Sequence, residues 1–283
     1  MSGKDGQKIG AMMNVIALLT DFGLRDTYVA QMHGVIAQRD TALRVIDVTH
    51  AIPPQNVLAG AYALSDAVAA FPPGTIFVAV VDPGVGSTRR AIAAEFGAWR
   101  FVGPDNGLLS VLLDQYALAT VVELTNPAYH RQPRSSTFHG RDIFAPVAAA
   151  WATGIPIAAF GPPCTTPLVR LDHAKPTKRT EGKQELIAGV VIDADHFGNI
   201  CTNIHRDDLR GNVSNGWNVK LDDTAIGPLA NCYADGTPGD VLALFGSNDR
   251  LEIAICRGSA AQRFPHAKMV SVVFPVPNQK HGS

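Results

Sequence analysis

Over the first 160 residues, short apolar runs alternate with longer stretches that are apolar on one face only. Residues 15–19 (VIALL) are too short for a helix and are bounded by polar residues, so they predict a buried strand. The stretch 25–39 places Val29, Met32, Val35 and Ile36 at helical spacing. A second strand is predicted at 43–48. An alanine-rich helix follows over 57–71, stopped by Pro72 and Pro73. Residues 76–81 predict a third strand, and 91–96 with 99–102 predict a hairpin. A short helix at 108–113, a strand at 119–124 and a helix at 143–152 complete the region. Strands alternating with helices predict an α/β domain with a mostly parallel sheet.

The pattern changes near Gly161. The stretch GPPCTTPLVRLDHAKPTKRTEGKQ is rich in proline and charge and has no helical period. Strand-like segments then recur at 185–192, 219–221, 241–245, 251–255 and 269–274. Turn signals such as GNVSNG and ADGTPGD separate them. These features predict an α/β N-terminal domain over 12–165, a linker over 166–184 and a smaller, mainly β C-terminal domain over 185–276. No internal repeat is present, and the tail PNQKHGS is expected to be disordered.

Composition narrows the class of partner. The 283 residues carry a net charge of -1, so the chain lacks the basic field that nucleic acid demands, and a small molecule is the expected partner. Cys164, Cys201, Cys232 and Cys256 lie far apart with no CxxC pair, which argues against a zinc ribbon and predicts reduced, mostly core thiols. Lys4 and Lys8 ahead of the apolar run 11–19 imitate a signal peptide. TDFG follows where a small-residue cleavage site would stand, so the run is read as a first strand behind a loose leader. No apolar stretch reaches the ~18 residues of a membrane span. A cytoplasmic protein is expected.

Polar clusters sit at the ends of the apolar runs: TDFGLRD after the first strand, DVTHAIPPQN after the second, DPGVGSTRR after the third, and STFHGRD before the last helix. GPDNG at 103–107 adds another tight polar turn. In a parallel α/β sheet, ligands bind outside the carboxyl ends of the strands, where three of these clusters are predicted to lie. Each cluster has a local reading. Asp21 could cap the next helix. The DFG triplet lacks the other kinase motifs. GVGSTRR lacks the lysine and spacing of a phosphate loop. Asp82 and His139 supply two potential metal ligands without an evident third. His33 and His50 are candidate structural histidines.

Taken together, the clusters resemble the S-adenosyl-L-methionine (SAM) hydroxide adenosyltransferases, a family that also contains fluorinating and chlorinating enzymes. The resemblance runs from about residue 15 to 261. It is carried by LLTDFGLRDTYV, DVTH, VDPGVGSTRR, FVGPDNGLL, STFHGRDIFAPVAA, DHFGNICTNI and EIAICRGSAA. It implies an α/β N-terminal domain, a smaller β-rich C-terminal domain and a homotrimer with sites between subunits. Hydroxide-using members carry an Asp, an Arg seven residues later and a distant His, which match Asp82, Arg89 and His139. In the fluorinating pattern, the positions of Asp82 and His139 are tyrosines, that of Gly140 is serine, and that of Gln55 is tryptophan. This chain departs from that pattern at each point.

The implied reaction is hydrolysis of SAM to adenosine and L-methionine. The sulfonium is already a good leaving group, so no cofactor is implied and no metal is expected. The difficulty is the nucleophile, since free water has a pKa of about 15.7. Arg89 and His139 are expected to position the attacking oxygen, while Asp82 orients them and limits the positive charge. The resemblance assigns Asp21 to the ribose hydroxyls and Phe138 to a place beside the nucleoside. It assigns Asp195 to the methionine ammonium, Phe197 to stacking on adenine, Asn199 to the adenine edge and Ser247 to the methionine carboxylate. Arg257 and Ser259 would offer backbone groups to adenine. The halogenase pattern follows the serine with arginine where this chain has Asn248. A SAM-dependent halogenase of the same fold, a non-catalytic SAM- or nucleoside-binding protein and a metal-dependent hydrolase using Asp82 and His139 are the competing readings.

Overall fold

The computed structural model of the chain describes residues 15–172, 175–182, 184–209 and 217–275. The predicted leader, the tail at 277–283, residues 12–14 and 276 of the predicted domains, and the turn signal at 211–216 lie outside these residues. The chain divides into two compact units, the first ending at Arg170 and the second starting at Leu171.

The first unit is built on a six-stranded sheet. Its strands are β1 (Val15–Thr20), β2 (Arg44–Thr49), β3 (Ile76–Val80), β4 (Ala91–Phe96), β5 (Trp99–Pro104) and β6 (Leu118–Glu123). The order is β2-β1-β3-β5-β4-β6. β1 is parallel to β2 and β3, and β3 is parallel to β5, while β4 runs antiparallel to β5 and β6. Every residue of β1 and β3 is buried, as expected of central strands covered on both faces. The helices are α1 (Tyr28–Arg39), α2 (Val57–Val68), α3 (Leu112–Gln115) and α4 (Ala145–Ala152). The helix predicted at 108–113 forms later, over Leu112–Gln115. A π-turn over Gly140–Phe144 leads into α4. The core gathers Leu18, Met32, Val78, Phe144 and Trp151.

The second unit contains β7 (Thr177–Glu181), β8 (Gln184–Ala194), β9 (Ile200–His205), β10 (Asn218–Leu221), β11 (Thr224–Pro228), β12 (Val241–Phe245), β13 (Arg250–Ile255), the short helix α5 (Ala260–Arg263) and β14 (Met269–Pro275). The strand pairings are antiparallel, in the order β11-β10-β14-β8-β9-β13-β12, with β7 added against β8. β7 falls within the stretch read as linker. A bridge between Leu229 and Ala243 joins the region after β11 to β12. Ile204, Val219, Leu251, Ile253 and Val272 fill the core.

All four cysteines are free, but they are not core thiols: three are half-buried and Cys232 is exposed. Among the described residues, no helix is long and apolar enough to cross a membrane.

Candidate active site

Strand β3 ends at Val80, and two residues later Asp82 stands at the carboxyl edge of the parallel strands. The chain then turns tightly. Val85 N–H donates to Asp82 O, Ser87 N–H and Oγ both donate to Gly84 O, and Arg89 N–H donates to Ser87 Oγ. Gly86 adopts a φ of +77°, and a Cβ there would lie 2.5 Å from the backbone oxygen of Ser136. Only glycine satisfies both demands. This close approach brings the loop after β3 against the loop carrying His139.

The turn returns Arg89 onto Asp82. Arg89 Nε lies 3.0 Å from each carboxylate oxygen, and Nη2 also donates to Oδ2. The two side chains are only 10% and 4% exposed, so the pair is withdrawn from water. The Arg89 guanidinium also sits 5.4 Å from the centre of the Phe144 ring. Nη2 reaches on to His139 Nδ1 at 2.8 Å. Arginine can only donate, so His139 Nδ1 accepts. The imidazole is therefore neutral and carries its proton on Nε2. Burial pushes the His139 pKa below the ordinary histidine value, and the Arg89 charge pushes it further; the Asp82 charge opposes them. Asp82 reaches His139 through the arginine: the hydrogen bonds run from carboxylate to guanidinium to imidazole.

Asp82, His139, Asp21 and Phe138 line a cavity of about 390 Å³, together with Tyr28 and Gln55. Asp21 does not cap α1, whose N-cap is Thr27. Its Oδ2 instead accepts the backbone N–H of Gln55 at 2.8 Å, joining the loops after β1 and β2. Phe138 is buried and meets Phe22 and Tyr28 edge-on, at 5.8 and 5.2 Å between ring centres. Tyr28 and Gln55 were not among the expected site residues. Gln55 lies within the polar cluster DVTHAIPPQN, and Tyr28 two residues beyond TDFGLRD, so position was the signal for both. His50 is structural: it is buried, and its Nδ1 lies 2.8 Å from Thr20 Oγ1. His33 pairs with Asp47 at 2.8 Å.

The other expected residues fall in the second unit. Asp195, Phe197, Asn199, Ser247 and Arg257 line a cavity of about 1160 Å³ there. Asp195 Oδ1 accepts the backbone N–H groups of Phe197 and Asn199, and its Oδ2 accepts Asn199 Nδ2, all at 2.9 Å. Phe197 is 76% exposed, which leaves its ring free to stack. Arg257 takes a positive φ of 56°. Ser259 does not line the cavity; its Oγ caps α5 by accepting Gln262 N–H. It also packs against Gly198, where a Cβ would meet its Oγ at 2.2 Å. Tyr233 and Glu252 line the same cavity and were not expected. Among the described residues, no group of three or more His, Cys, Asp or Glu is placed to hold a metal ion.

Residues 16–161 match the family model of the SAM hydroxide adenosyltransferase N-terminal domain, and residues 189–272 match that of the C-terminal domain. A protein of Thermus thermophilus named (R)-S-adenosyl-L-methionine hydrolase is 40% identical, over 88% of this chain and 95% of its own. A fluorinase of Actinopolyspora mzabensis is 30% identical, over 89% and 93%. The crystal structure of an uncharacterized conserved protein from Thermotoga maritima superposes with a TM-score of 0.81 at 34% identity, covering 91% of this chain and 99% of that one. The chain belongs to the SAM hydroxide adenosyltransferase family.

Proposed function

We propose that this protein is a hydrolase that converts SAM to adenosine and L-methionine by attack of hydroxide at C5′ of the ribose. The observation that carries the reading is the Asp82–Arg89–His139 chain of hydrogen bonds, two of whose members, Asp82 and His139, line a cavity. Relatives 35–48% identical to this chain bear the name (R)-S-adenosyl-L-methionine hydrolase, while fluorinases are more distant.

The hydrogen bonding favours hydroxide over water as the nucleophile. Both Asp82 oxygens accept from Arg89, and His139 Nδ1 accepts from Arg89 as well. Both potential bases of the set, Asp82 and His139 Nδ1, are engaged by Arg89. His139 Nε2–H and the guanidinium are donors, suited to holding an anion. Bound between them, a water would lose its proton to solvent more readily, and the resulting hydroxide is held for attack. The C5′–O bond forms as the C5′–S bond breaks, and the electron pair of that bond leaves on sulfur as neutral methionine. Asp82 offsets the arginine charge, which would otherwise repel the sulfonium.

Asp21 is suited to the ribose diol, because its second oxygen accepts no hydrogen bond from the described residues. Phe138 flanks the nucleoside. Phe197, Asn199, Ser247, Arg257 and Ser259 serve the adenine and methionine ends as the family likeness implies. The enzyme is read as metal- and cofactor-independent, cytoplasmic and homotrimeric, with each site shared between neighbouring subunits. Sedimentation at several concentrations tests the trimer, and activity in excess chelator tests the metal.

Turnover in ¹⁸O-labelled water is the decisive experiment. Labelled adenosine with methionine is expected. A 5′-halo-adenosine in the presence of chloride, or no turnover of either sulfonium epimer, overturns the proposal. The relatives' name specifies the R configuration at sulfur, so the two epimers are assayed separately, with the R epimer expected to react faster.

A further inference from the structure

Building on the SAM reading, in which Asp21 grips the ribose diol, we infer that His50 is a positioning residue: through Thr20 and its own backbone it fixes the turn that presents the Asp21 carboxylate. A carboxylate that meets two vicinal hydroxyls at once must be held in both place and angle. The side chain is held by Gln55 N–H at Oδ2. The backbone on either side of Asp21 leads to His50. Gly23 N–H donates to His50 O at 2.8 Å. Phe22 N–H donates to Thr20 Oγ1 at 3.2 Å, and Thr20 Oγ1 lies 2.8 Å from His50 Nδ1. Thr20 is 0% and His50 4% exposed, so water is not at hand to replace either contact.

The imidazole is itself braced from behind. Asp47 Oδ1 lies 3.1 Å from His50 Nε2, off the line of an ideal hydrogen bond, and 2.8 Å from His33 Nε2 on α1. Burial pushes the Asp47 pKa up, but its contacts with His50 and His33 outweigh burial and hold it below the ordinary value, so Asp47 is a carboxylate. A carboxylate only accepts, which puts the His50 proton on Nε2 and leaves Nδ1 to accept the Thr20 hydroxyl. The order then runs from Phe22 N–H through the Thr20 hydroxyl to His50 Nδ1, with Asp47 setting the ring.

The sheet makes room for this arrangement. Residues three apart on a regular strand point to opposite faces, so Asp47 and His50 would not meet. The register between β1 and β2 shifts between Leu18, opposite Asp47, and Leu19, opposite Thr49, and β2 ends at Thr49. That irregularity turns His50 back toward Asp47 and sets its ring against Thr20, the last residue of β1. His50 does not line the cavity, whereas Asp21 does, so His50 acts through Asp21.

The test reads the diol directly. Adenosine and 2′,3′-dideoxyadenosine are titrated calorimetrically into the wild type, His50→Ala, Thr20→Val, Thr20→Ser and Asp21→Asn. The wild type should bind adenosine more tightly. His50→Ala should weaken adenosine about tenfold, part of the loss in Asp21→Asn, and leave the dideoxy compound within about twofold. Thr20→Val removes the hydroxyl at nearly constant shape and should give the same selective loss if His50→Ala folds poorly, while Thr20→Ser should keep the preference. Equal weakening of both nucleosides makes His50 a packing residue only and overturns the inference, as does an unchanged preference in His50→Ala and Thr20→Val. Equal binding of both nucleosides by the wild type overturns it too, by taking Asp21 off the diol. Because the readout is binding, absence of SAM turnover would refute the hydrolysis proposal without affecting this comparison.

Discussion

Arg89 Nη2 lies 2.8 Å from His139 Nδ1, and a guanidinium has no lone pair to offer, so the imidazole must be neutral for the contact to exist. Protonating His139 turns that acceptor into a donor facing a cation. The folded-state pKa is held below the ordinary 6.5. The unfolded chain therefore takes up the proton first as pH falls. The stability that His139 contributes is present above pH 6.5 and is lost as pH drops through the depressed value. Activity should follow the same group: kcat/KM should show an acid limb with its midpoint below 6.5. His139→Asn keeps an acceptor for Arg89 but lacks the Nε2–H donor. Its turnover should fall by about 10²-fold or more, and its residual rate should lose that limb. A pH–rate profile of both proteins checks this; an unchanged limb in the variant removes His139 as its source.

Arg89→Lys separates charge from shape. Lysine keeps the positive charge, but a single ammonium cannot grip both Asp82 oxygens and reach His139 in one plane. If the fork holds the nucleophile, kcat should drop about 10²- to 10³-fold with KM altered by less than about threefold, since the missing interaction acts on the attacking oxygen. Steady-state kinetics decide it. A variant that keeps near-normal kcat would mean that charge alone suffices.

Gly86→Ala should damage the site without touching a reacting group. The added methyl would stand 2.5 Å from Ser136 O, on a backbone with φ +77° that alanine adopts only under strain. The two catalytic loops must move apart, stretching the Arg89–His139 contact. We expect kcat to fall at least about tenfold and the melting temperature to drop by several degrees, since a strained φ costs roughly 1–3 kcal/mol. A crystal structure of the variant with the contact still at its present length, together with normal kcat, would defeat the argument.

The polar clusters after β1 and β3 were legible because those central strands are apolar runs that stop abruptly. The end of the third run is what places Asp82 at the edge. The seven-residue interval to Arg89 and the distant His139 came from family likeness, and their geometry depended on Gly86, whose close approach to Ser136 no local pattern announces. The helical period marked α1 and α4 but not the π-turn before α4, where one extra residue per turn breaks the spacing. β9 was missed because ICTNIH alternates weakly, with Thr202 and Asn203 buried; Thr202 Oγ1 donates to Leu251 O, so a polar side chain serves as core. β7 was hidden because TKRTE has no apolar face. The capping alternative for Asp21 could not be dismissed locally, because its actual partner, Gln55 N–H, lies 34 residues away.

The tandem arginines should prove to have separate jobs. Arg90, next to Arg89, turns the other way and pairs with Asp105, whose side chain is 3% exposed. Its Nη2 also donates to Pro167 O, and Asp105 Oδ1 accepts Val169 N–H, so the pair ties 167–169 to the end of the sheet. Truncating Arg90 strands a buried carboxylate and releases that segment. Arg90→Ala should lower unfolding free energy by about 3 kcal/mol, the low end for breaking a buried pair, because Arg90 itself keeps some contact with water. It should leave kcat/KM of the folded fraction within about threefold of wild type. Urea melts and assays in native buffer measure the two effects independently. If instead Arg90→Ala is stable and inactive, Arg90 belongs with Arg89 in the chemistry, and the division of labour between the neighbours is wrong.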